Sequence, residues 1–313
     1  MTQPLISAII CTHNRASYLG AAIDSLLGQT YAAYEVIVVD NASTDDTRAV
    51  VEARLPHPQL TYCYEGTLGL SAARNRGAAI AHGSLLAYLD DDAEASADWL
   101  AALAEAFVDY PQAAIAGGSV SLIWPADCTP PRWLSPTLAE SLGAYDLGPS
   151  TRLITAPGQT PRGLNYAVKK SFLDAAGGFD PQLGRVGKNL LSNEELHLTQ
   201  QALAAGFEVL FVPRAQVAHN VAPERLRRRW FLRRSWWQGI SECYREHLTH
   251  TLTRQRLQVR GLCLLRGLVK ALKSWPDPAL RFENLVYAYG QLGYVFSGLR
   301  HLVPRAALHL RGL

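Results

Sequence analysis

Residues 85–93 read LLAYLDDDA. Five apolar residues make a compact run of strand length, and three carboxylates follow it without a spacer. A similar edge closes YEVIVVD at 34–40, where Asp40 follows the run Glu35–Val39. Upstream, Leu5–Cys11 (LISAIIC) is another buried-strand run, and Leu19, Ile23, Leu26 and Leu27 recur at helical spacing between the two. Strand, helix and strand in that order predict an α/β fold with a sheet covered on both faces. Ligands of such sheets bind beyond the carboxyl ends of the strands, where Asp40 and Asp90-Asp91-Asp92 fall.

Working outward, the pattern predicts helices over Asp45–Val51, Leu70–Ala81 and Ala97–Phe107, with Leu85–Leu89 as the third strand and Pro111 as a stop signal. Ser43 or Thr44 is the expected cap of the first of these helices. Pro and Gly crowd Trp124–Pro161, which reads as an irregular insertion. Regular structure resumes at Leu164–Val168 and Ser171–Ala176, followed by a helix over Glu194–Ala205 and a strand over Glu208–Val212.

A chain of 313 residues with 48% hydrophobic and 18% charged side chains buries a sizeable core and is not a disordered protein. Its five cysteines are scattered and form no CxxC pair, so neither a disulfide framework nor a thiolate zinc site is indicated. MTQPLISAIICTHNR has no basic stretch ahead of its apolar run and reads as a first strand, not a secretion signal. A cytoplasmic protein with reduced thiols is expected.

Charge divides the chain near Asn220. Residues 1–219 carry 13 Lys and Arg against 22 Asp and Glu, whereas residues 220–313 carry 17 against 5. The expected organisation is an acidic catalytic body over 1–219, then a basic region over 220–313. That region opens on RLRRRWFLRRSWW at 225–237 and continues into Leu252–Trp275, a basic amphipathic helix. The charge-free span Asn284–Leu299 is short and polar for a membrane crossing. Two readings stand: a segment lying on an anionic membrane surface, or helices packed on the body with solvated basic faces.

Three adjacent carboxylates repel one another unless hydrogen bonds, solvent or a cation compensate. Asp90 and Asp92, as alternate members, can face one way, toward sugar hydroxyls and a divalent cation; Mg²⁺ or Mn²⁺ suits such an oxygen-only site. The plainer reading is a helix-start cluster together with Glu94 and Asp98. The sequence has neither GxGxxG nor GxxxxGK[ST], so a bound diphosphate would rely on a metal. Arg74 and Arg76, in SAARNRG, offer positive charge toward a nucleotide. Glu194 and Glu195, in LLSNEELHL, are either a favourable first helical turn capped by Ser192 or Asn193, or a base for an acceptor hydroxyl. His219 suits a metal ligand, a phosphate contact or a surface histidine equally.

Taken in order, ISAIICTHNR, YEVIVVDNASTDDT, GLSAARNRG, LLAYLDDDA, RGLNYAVKKSFLDAAGGFD and SNEELHLTQQALAAGFEVLFVP resemble the inverting glycosyltransferases of family 2, which have the GT-A fold. The resemblance implies that Thr12, His13, Asn14 and Arg15 line the base pocket, with the His13 ring where many members stack a tyrosine. It implies that Asp40 accepts from a pyrimidine N–H, which favours a UDP-sugar over dTDP or GDP donors. Arg74 falls on the arginine of the nucleotide-binding loop. Asp90, Asp91 and Asp92 fall on the DxD motif, with Asp92 and Asp90 toward the metal and His219 near it. Asn165 and Gly178 fall on the acceptor and sugar side. Glu195 falls on the catalytic base, and a Glu-Glu pair in place of the commoner Glu-Asp leaves Glu194 as the alternative.

The resemblance further implies one sugar moved to a glycan or lipid-linked oligosaccharide in cell-surface polysaccharide synthesis. The tail is similar to that of bacterial members with this role, peripheral on the inner face of the plasma membrane and without nucleic acid as partner. No run of membrane spans and no QxxRW motif points to a processive enzyme. The rival readings are a non-catalytic nucleotide-sugar-binding or scaffold protein of the same fold and a sugar nucleotidyltransferase. The latter lacks its Gly-rich loop after strand one.

Overall fold

A computed structural model describes residues 3–126, 128–187 and 189–302; residues 303–313 of the expected basic region lie outside them. In chain order the elements are β1 (Ile6–Thr12), α1 (Ala16–Leu27), β2 (Tyr34–Asp40), α2 (Thr47–Glu52), β3 (Leu60–Tyr64), α3 (Leu70–Ile80), β4 (Leu85–Asp90), β5 (Ala93–Ala95), α4 (Trp99–Asp109) and β6 (Ala113–Ile123). They continue with α5 (Pro136–Glu140), β7 (Arg152–Leu153), β8 (Asn165–Lys169), α6 (Lys170–Ala175), α7 (Glu194–Ala204), β9 (Glu208–Asn220), α8 (Arg228–Leu248), α9 (Arg254–Lys273) and α10 (Pro278–Leu302). The chain forms two compact units. One holds residues up to Ile123, Gly143–Gly187 and Glu194–Asn220; the other holds Trp124–Leu142, Lys188–Asn193 and everything from Val221 onward.

The first unit is built on a nine-stranded sheet ordered β3-β2-β1-β4-β8-β6-β9-β5, with β7 on β9. β1 to β4 run parallel, β8 is antiparallel to β4 and β6, and β6 is parallel to β9, so the sheet is mixed and mostly parallel. β1, β2 and β4 are buried along nearly their whole length, as their predominantly apolar runs require of strands covered on both faces. α3 lies close on this layer: a Cβ at Gly77 would stand 2.7 Å from Cγ2 of Ile9, so the last glycine of SAARNRG lets the helix approach the sheet. Register then sets the functional edge, since Thr12 pairs Asp40 across β1 and β2, and Cys11 pairs Asp90 across β1 and β4.

Several expectations are corrected here. LLAYL is the fourth strand, because β3 precedes it. The 11-residue β6 carries no strand signal in AAIAGGSVSLI, yet it spans the sheet. Within it a Cβ at Gly118 would stand 1.8 Å from the Ala215 carbonyl oxygen, so glycine there serves close strand packing. β9 does not end at Val212: it passes Pro213 with a register shift between Gly118 and Val120 of β6, and runs on to Asn220. Within the irregular stretch, Ser135 caps α5 by accepting from Leu138 N at 3.2 Å. The loop before α2 is ordered by Asp45, not capped by Ser43 or Thr44: Oδ1 accepts from Thr47 N at 3.1 Å and Oδ2 from Ala16 N at 3.0 Å.

In the second unit, α8 and α10 cross closely. A Cβ at Gly239 would stand 1.9 Å from Gly290 O, and one at Gly293 2.3 Å from Trp236 O. The glycine of WWQGIS is therefore a helix-crossing residue. Trp133, Phe231 and Phe282 pack edge to face, at 5.4 Å and 4.9 Å from the Trp133 ring, and the Arg228 guanidinium covers Trp133 at 5.6 Å. Ser192 donates to Gln238 Oε1 at 3.1 Å, and Asn193 Oδ1 accepts from Gln238 Nε2 at 2.9 Å. Both side chains thus engage Gln238, whereas the sequence reading has them as helix caps. Among the described residues no helix is long and apolar enough to cross a membrane.

Candidate active site

Asp40 closes β2 as a buried carboxylate. Its Oδ1 accepts from Ser43 N at 2.9 Å and its Oδ2 from the Tyr62 hydroxyl at 2.9 Å. Each carboxylate oxygen retains a further lone pair for a ligand donor. Burial, reinforced by the bond to Asp40, pushes the Tyr62 hydroxyl up to about 12, so it stays a donor to the carboxylate. Beside it, Thr12 ends β1 buried, while His13 and Asn14 are exposed. His13 Nδ1 lies 2.7 Å from Asn41 O, and Asn14 Oδ1 accepts from Thr44 N at 2.7 Å. Asn14 has a φ of 53°, in the left-handed region that asparagine tolerates. These bonds stitch the loops after β1 and β2 into one rim with an imidazole at its edge.

The aspartates that end and follow β4, Asp90 to Asp92, meet β9. Ala93 of β5 pairs with His219, which brings the imidazole back to the cluster: His219 Nε2 lies 3.2 Å from Asp92 Oδ1, and both residues are buried. Arg15 Nη1 donates to the other oxygen, Oδ2 of Asp92, at 2.8 Å. Burial raises the pKa of Asp90, and the Asp92 charge raises it further against the pull of Arg74. Burial and Asp92 likewise push Asp91 up to about 7, opposed by Arg15. The cluster therefore favours any added positive charge. Asp92 and His219 form a pair; among the described residues no group of three or more His, Cys, Asp or Glu is arranged to hold a metal ion.

Arg74 stands in a second cluster. Its Nη1 donates to Glu195 Oε1 at 2.8 Å and to Glu194 Oε1 at 3.1 Å, and its Nη2 donates to Gly163 O at 3.3 Å. The guanidinium lies over Phe179 at 5.2 Å and Tyr88 at 5.8 Å. Burial opposes its charge, but Glu195 and Glu194 outweigh that and hold its pKa above the ordinary arginine value. Burial, then the neighbouring Glu195 charge, pushes Glu194 up to about 7 in spite of Arg74. The fields of Arg74 and Arg185 reach both Asp90 and Glu194, so the two acidic clusters share one electrostatic neighbourhood. Chemically, the arrangement offers one buried carboxylate that protonates readily and one held by a charge-assisted hydrogen bond from Arg74 Nη1.

The structure thus brings together Asp40, Thr12, His13, Asn14 and Arg15 on one rim, Asp90, Asp91, Asp92 and His219 on the next, and Glu194 and Glu195 with Arg74. Arg74, expected toward a nucleotide, is spent on the two glutamates. Asn165 is not brought to the edge at all. It is fully buried, with Oδ1 accepting from Trp99 Nε1 at 2.9 Å and Nδ2 donating to Ala215 O at 2.8 Å and Ser119 O at 3.2 Å. Its amide clamps α4, β6 and β9. Sequence reasoning missed Tyr62, Gly163 and Arg185. A Cβ at Gly163 would stand 1.7 Å from Glu195 Oε1, a contact that no local pattern announces.

Residues 7–152 match the family described as Glycosyl transferase family 2, and the mixed sheet is GT-A-like in layout. It is 27% identical over 241 residues to the glucosyl-dolichyl phosphate glucuronosyltransferase of Haloferax volcanii, covering 76% of each chain. With glycosyltransferase AglE of the same organism the identity is 26% over 230 residues, covering 71% of this chain and 69% of the relative. Among solved structures, the mannosyltransferase PcManGT from Pyrobaculum calidifontis, in complex with GDP-Man and Mn²⁺, aligns with a TM-score of 0.59 at 20% identity. That alignment covers 99% of this chain and 79% of that one.

Proposed function

We propose that the chain is a metal-dependent, inverting glycosyltransferase that moves one sugar from a nucleotide diphosphate, a UDP-sugar first, to a hydroxyl of a glycan or lipid-linked acceptor. Asp40, aimed by Tyr62 and Ser43, accepts from the base, and the exposed His13 ring supplies a flat face beside it. Asp90 accepts from sugar hydroxyls. Asp92 and His219 suit a divalent cation, Mn²⁺ or Mg²⁺: a buried, electron-rich pair beside two further aspartates, with remaining ligands drawn from substrate oxygens. Bound there, such an ion supplies Lewis-acid stabilisation to the departing diphosphate. Arg15 and Arg185 add positive charge to the same region.

Glu195 is the base. The acceptor oxygen attacks the anomeric carbon on the face opposite the diphosphate, the bond from that carbon to the phosphate oxygen breaks, and the hydroxyl proton passes to Glu195. Arg74 fixes the direction of that carboxylate. Glu195 is the more accessible of the two acids, its side chain 15% exposed against 2% for Glu194, which lies buried behind it on Arg74. The observation that carries this reading is the pinning of Glu195 on Arg74 under Gly163, in the same unit as the Asp90–Asp92 cluster. The relatives' names support the reading: that of the glucosyl-dolichyl phosphate glucuronosyltransferase suits a lipid-linked acceptor, and the Pyrobaculum enzyme, solved with GDP-Man and Mn²⁺, suits a nucleotide-sugar donor with a divalent cation.

The test is a screen of purified protein against nucleotide sugars with Mn²⁺ or Mg²⁺, read by nucleoside diphosphate release. One donor should stand out, with release abolished by chelator and restored by added metal. Equal release with every divalent ion removed would overturn the metal assignment; binding without turnover of any donor, across a panel of acceptors, would favour a non-catalytic sugar-nucleotide binder.

A further inference from the structure

The second unit carries a surface that glycosyl transfer leaves unexplained. α9 buries one side, with Gly267 and Ala271 against α10, where a Cβ at Gly267 would stand 3.1 Å from the Ala288 Cβ. On the opposite side Leu262, Leu265, Val269 and Leu272 recur at three- and four-residue intervals. Their exposures are 54%, 59%, 49% and 70%, and Trp275 past the helix end is 69% exposed. From Leu262 to Leu272 the ridge is about 15 Å long at the helical rise per residue. A continuous row of large apolar side chains in water marks a contact surface rather than ordinary surface scatter.

Charge selects the occupant. Between Glu246 and Asp277 the chain has no acidic residue and six Lys or Arg. Two of the six are tied inward: Arg256 pairs with Glu246 at 2.9 Å, and Arg260 pairs with Glu242. The other four, Arg254, Arg266, Lys270 and Lys273, are exposed along the helix that bears the ridge. Two copies meeting ridge to ridge would set these cations against one another with no acid to answer them. A bilayer with anionic headgroups meets both needs: leucines enter the acyl boundary, cations sit among phosphates, and Trp275 lies at the level where aromatic rings favour the interface. We infer that α9 is a membrane-surface helix, docking the chain on anionic lipid through the Leu262–Leu272 ridge.

This inference stands apart from the transfer reading, since none of these residues belongs to the strand-end clusters. The experiment is vesicle flotation of the full chain with phosphatidylcholine alone and with phosphatidylcholine containing phosphatidylglycerol, across a salt series. Wild type should float with anionic vesicles, weaken as salt rises, and ignore neutral ones. Leu265→Glu with Leu272→Glu should lose binding by about tenfold or more. Lys270→Gln with Lys273→Gln should lose the anionic preference by a similar factor. Circular dichroism and melting temperature should stay unchanged, because the substituted side chains are already exposed. No flotation, or flotation indifferent to lipid charge and salt, would overturn the inference. So would a dimer by light scattering that Leu265→Glu dissolves in protein blind to vesicles, which would assign the ridge to a second copy. Retention on heparin equal in wild type and the leucine variant, without vesicle binding, would assign it to a soluble polyanion instead.

Discussion

Gly163→Ala is the sharpest perturbation the structure offers. The added Cβ would stand 1.7 Å from Glu195 Oε1 and 2.6 Å from Arg74 Nη2. Ordinary contact begins near about 3.5 Å, so the carboxylate must retreat by roughly 1.5–2 Å or the backbone must shift by as much. A misplacement of about 1 Å in a positioned catalytic group costs on the order of 10²-fold. We therefore expect kcat to fall about 100-fold or more, with donor affinity unchanged because the Asp40 and Asp92 clusters are untouched. Crowding a packed site should also lower stability by about 1–3 kcal/mol. The assay is steady-state transfer beside calorimetric donor titration and chemical denaturation. Gly158→Ala is the control, since a Cβ there meets nothing within 4 Å. A Gly163→Ala enzyme with wild-type kcat would refute the claim that Glu195 must lie on Arg74 beneath this glycine.

Three further outcomes are expected. Tyr62→Phe removes the hydroxyl that donates to Asp40 at 2.9 Å and should weaken donor binding about tenfold by calorimetry; an unchanged affinity would detach Asp40 from the base. Asn165→Leu strands the Trp99 indole N–H and two backbone carbonyls and should cost about 2–4 kcal/mol in urea denaturation, and a loss below experimental scatter would contradict the clamp. Glu194→Gln tests the raised carboxylate. With a folded pKa pushed to about 7, above the unfolded value, the native state binds the proton more tightly, so its stabilising contribution is fully present below the unfolded pKa and is lost as pH rises through about 7. The glutamine variant lacks that loss, so melting curves should show it gaining on wild type by up to about 1 kcal/mol per pH unit between about pH 5 and 7. A stability difference flat across that range would contradict the shift.

The parallel half of the sheet is legible in sequence because β1, β2 and β4 are short, mostly apolar runs, buried along nearly their whole length, and β2 and β4 end in carboxylates. β6 is not, because its glycines answer contacts with Ala215 and Pro161 that are distant along the chain. β9 reads as stopping at Pro213 for a related reason: a register shift lets the strand continue past a residue that ordinarily ends one. The site divides the same way. Acids at strand ends and at a helix start are local signals, so Asp40, Asp90, Asp92 and the Glu194-Glu195 pair stand out. His219 is placed beside Asp92 only by the pairing of β5 with β9. The partner of Arg74 lies about 120 positions along the chain, which α3 alone cannot announce. Asn165 misleads because a polar residue at a strand start resembles a site residue whether it faces a ligand or, as here, an indole.

The central claim is a division of labour between Asp92, which secures the donor, and Glu195, which takes the proton. It is tested most directly by measuring donor binding and turnover on Asp92→Asn and Glu195→Gln side by side, with Mn²⁺ present. Glu195→Gln should bind the donor as wild type does and transfer nothing, while Asp92→Asn should lose metal-supported binding and transfer together. Near-native turnover in Glu195→Gln would contradict the account.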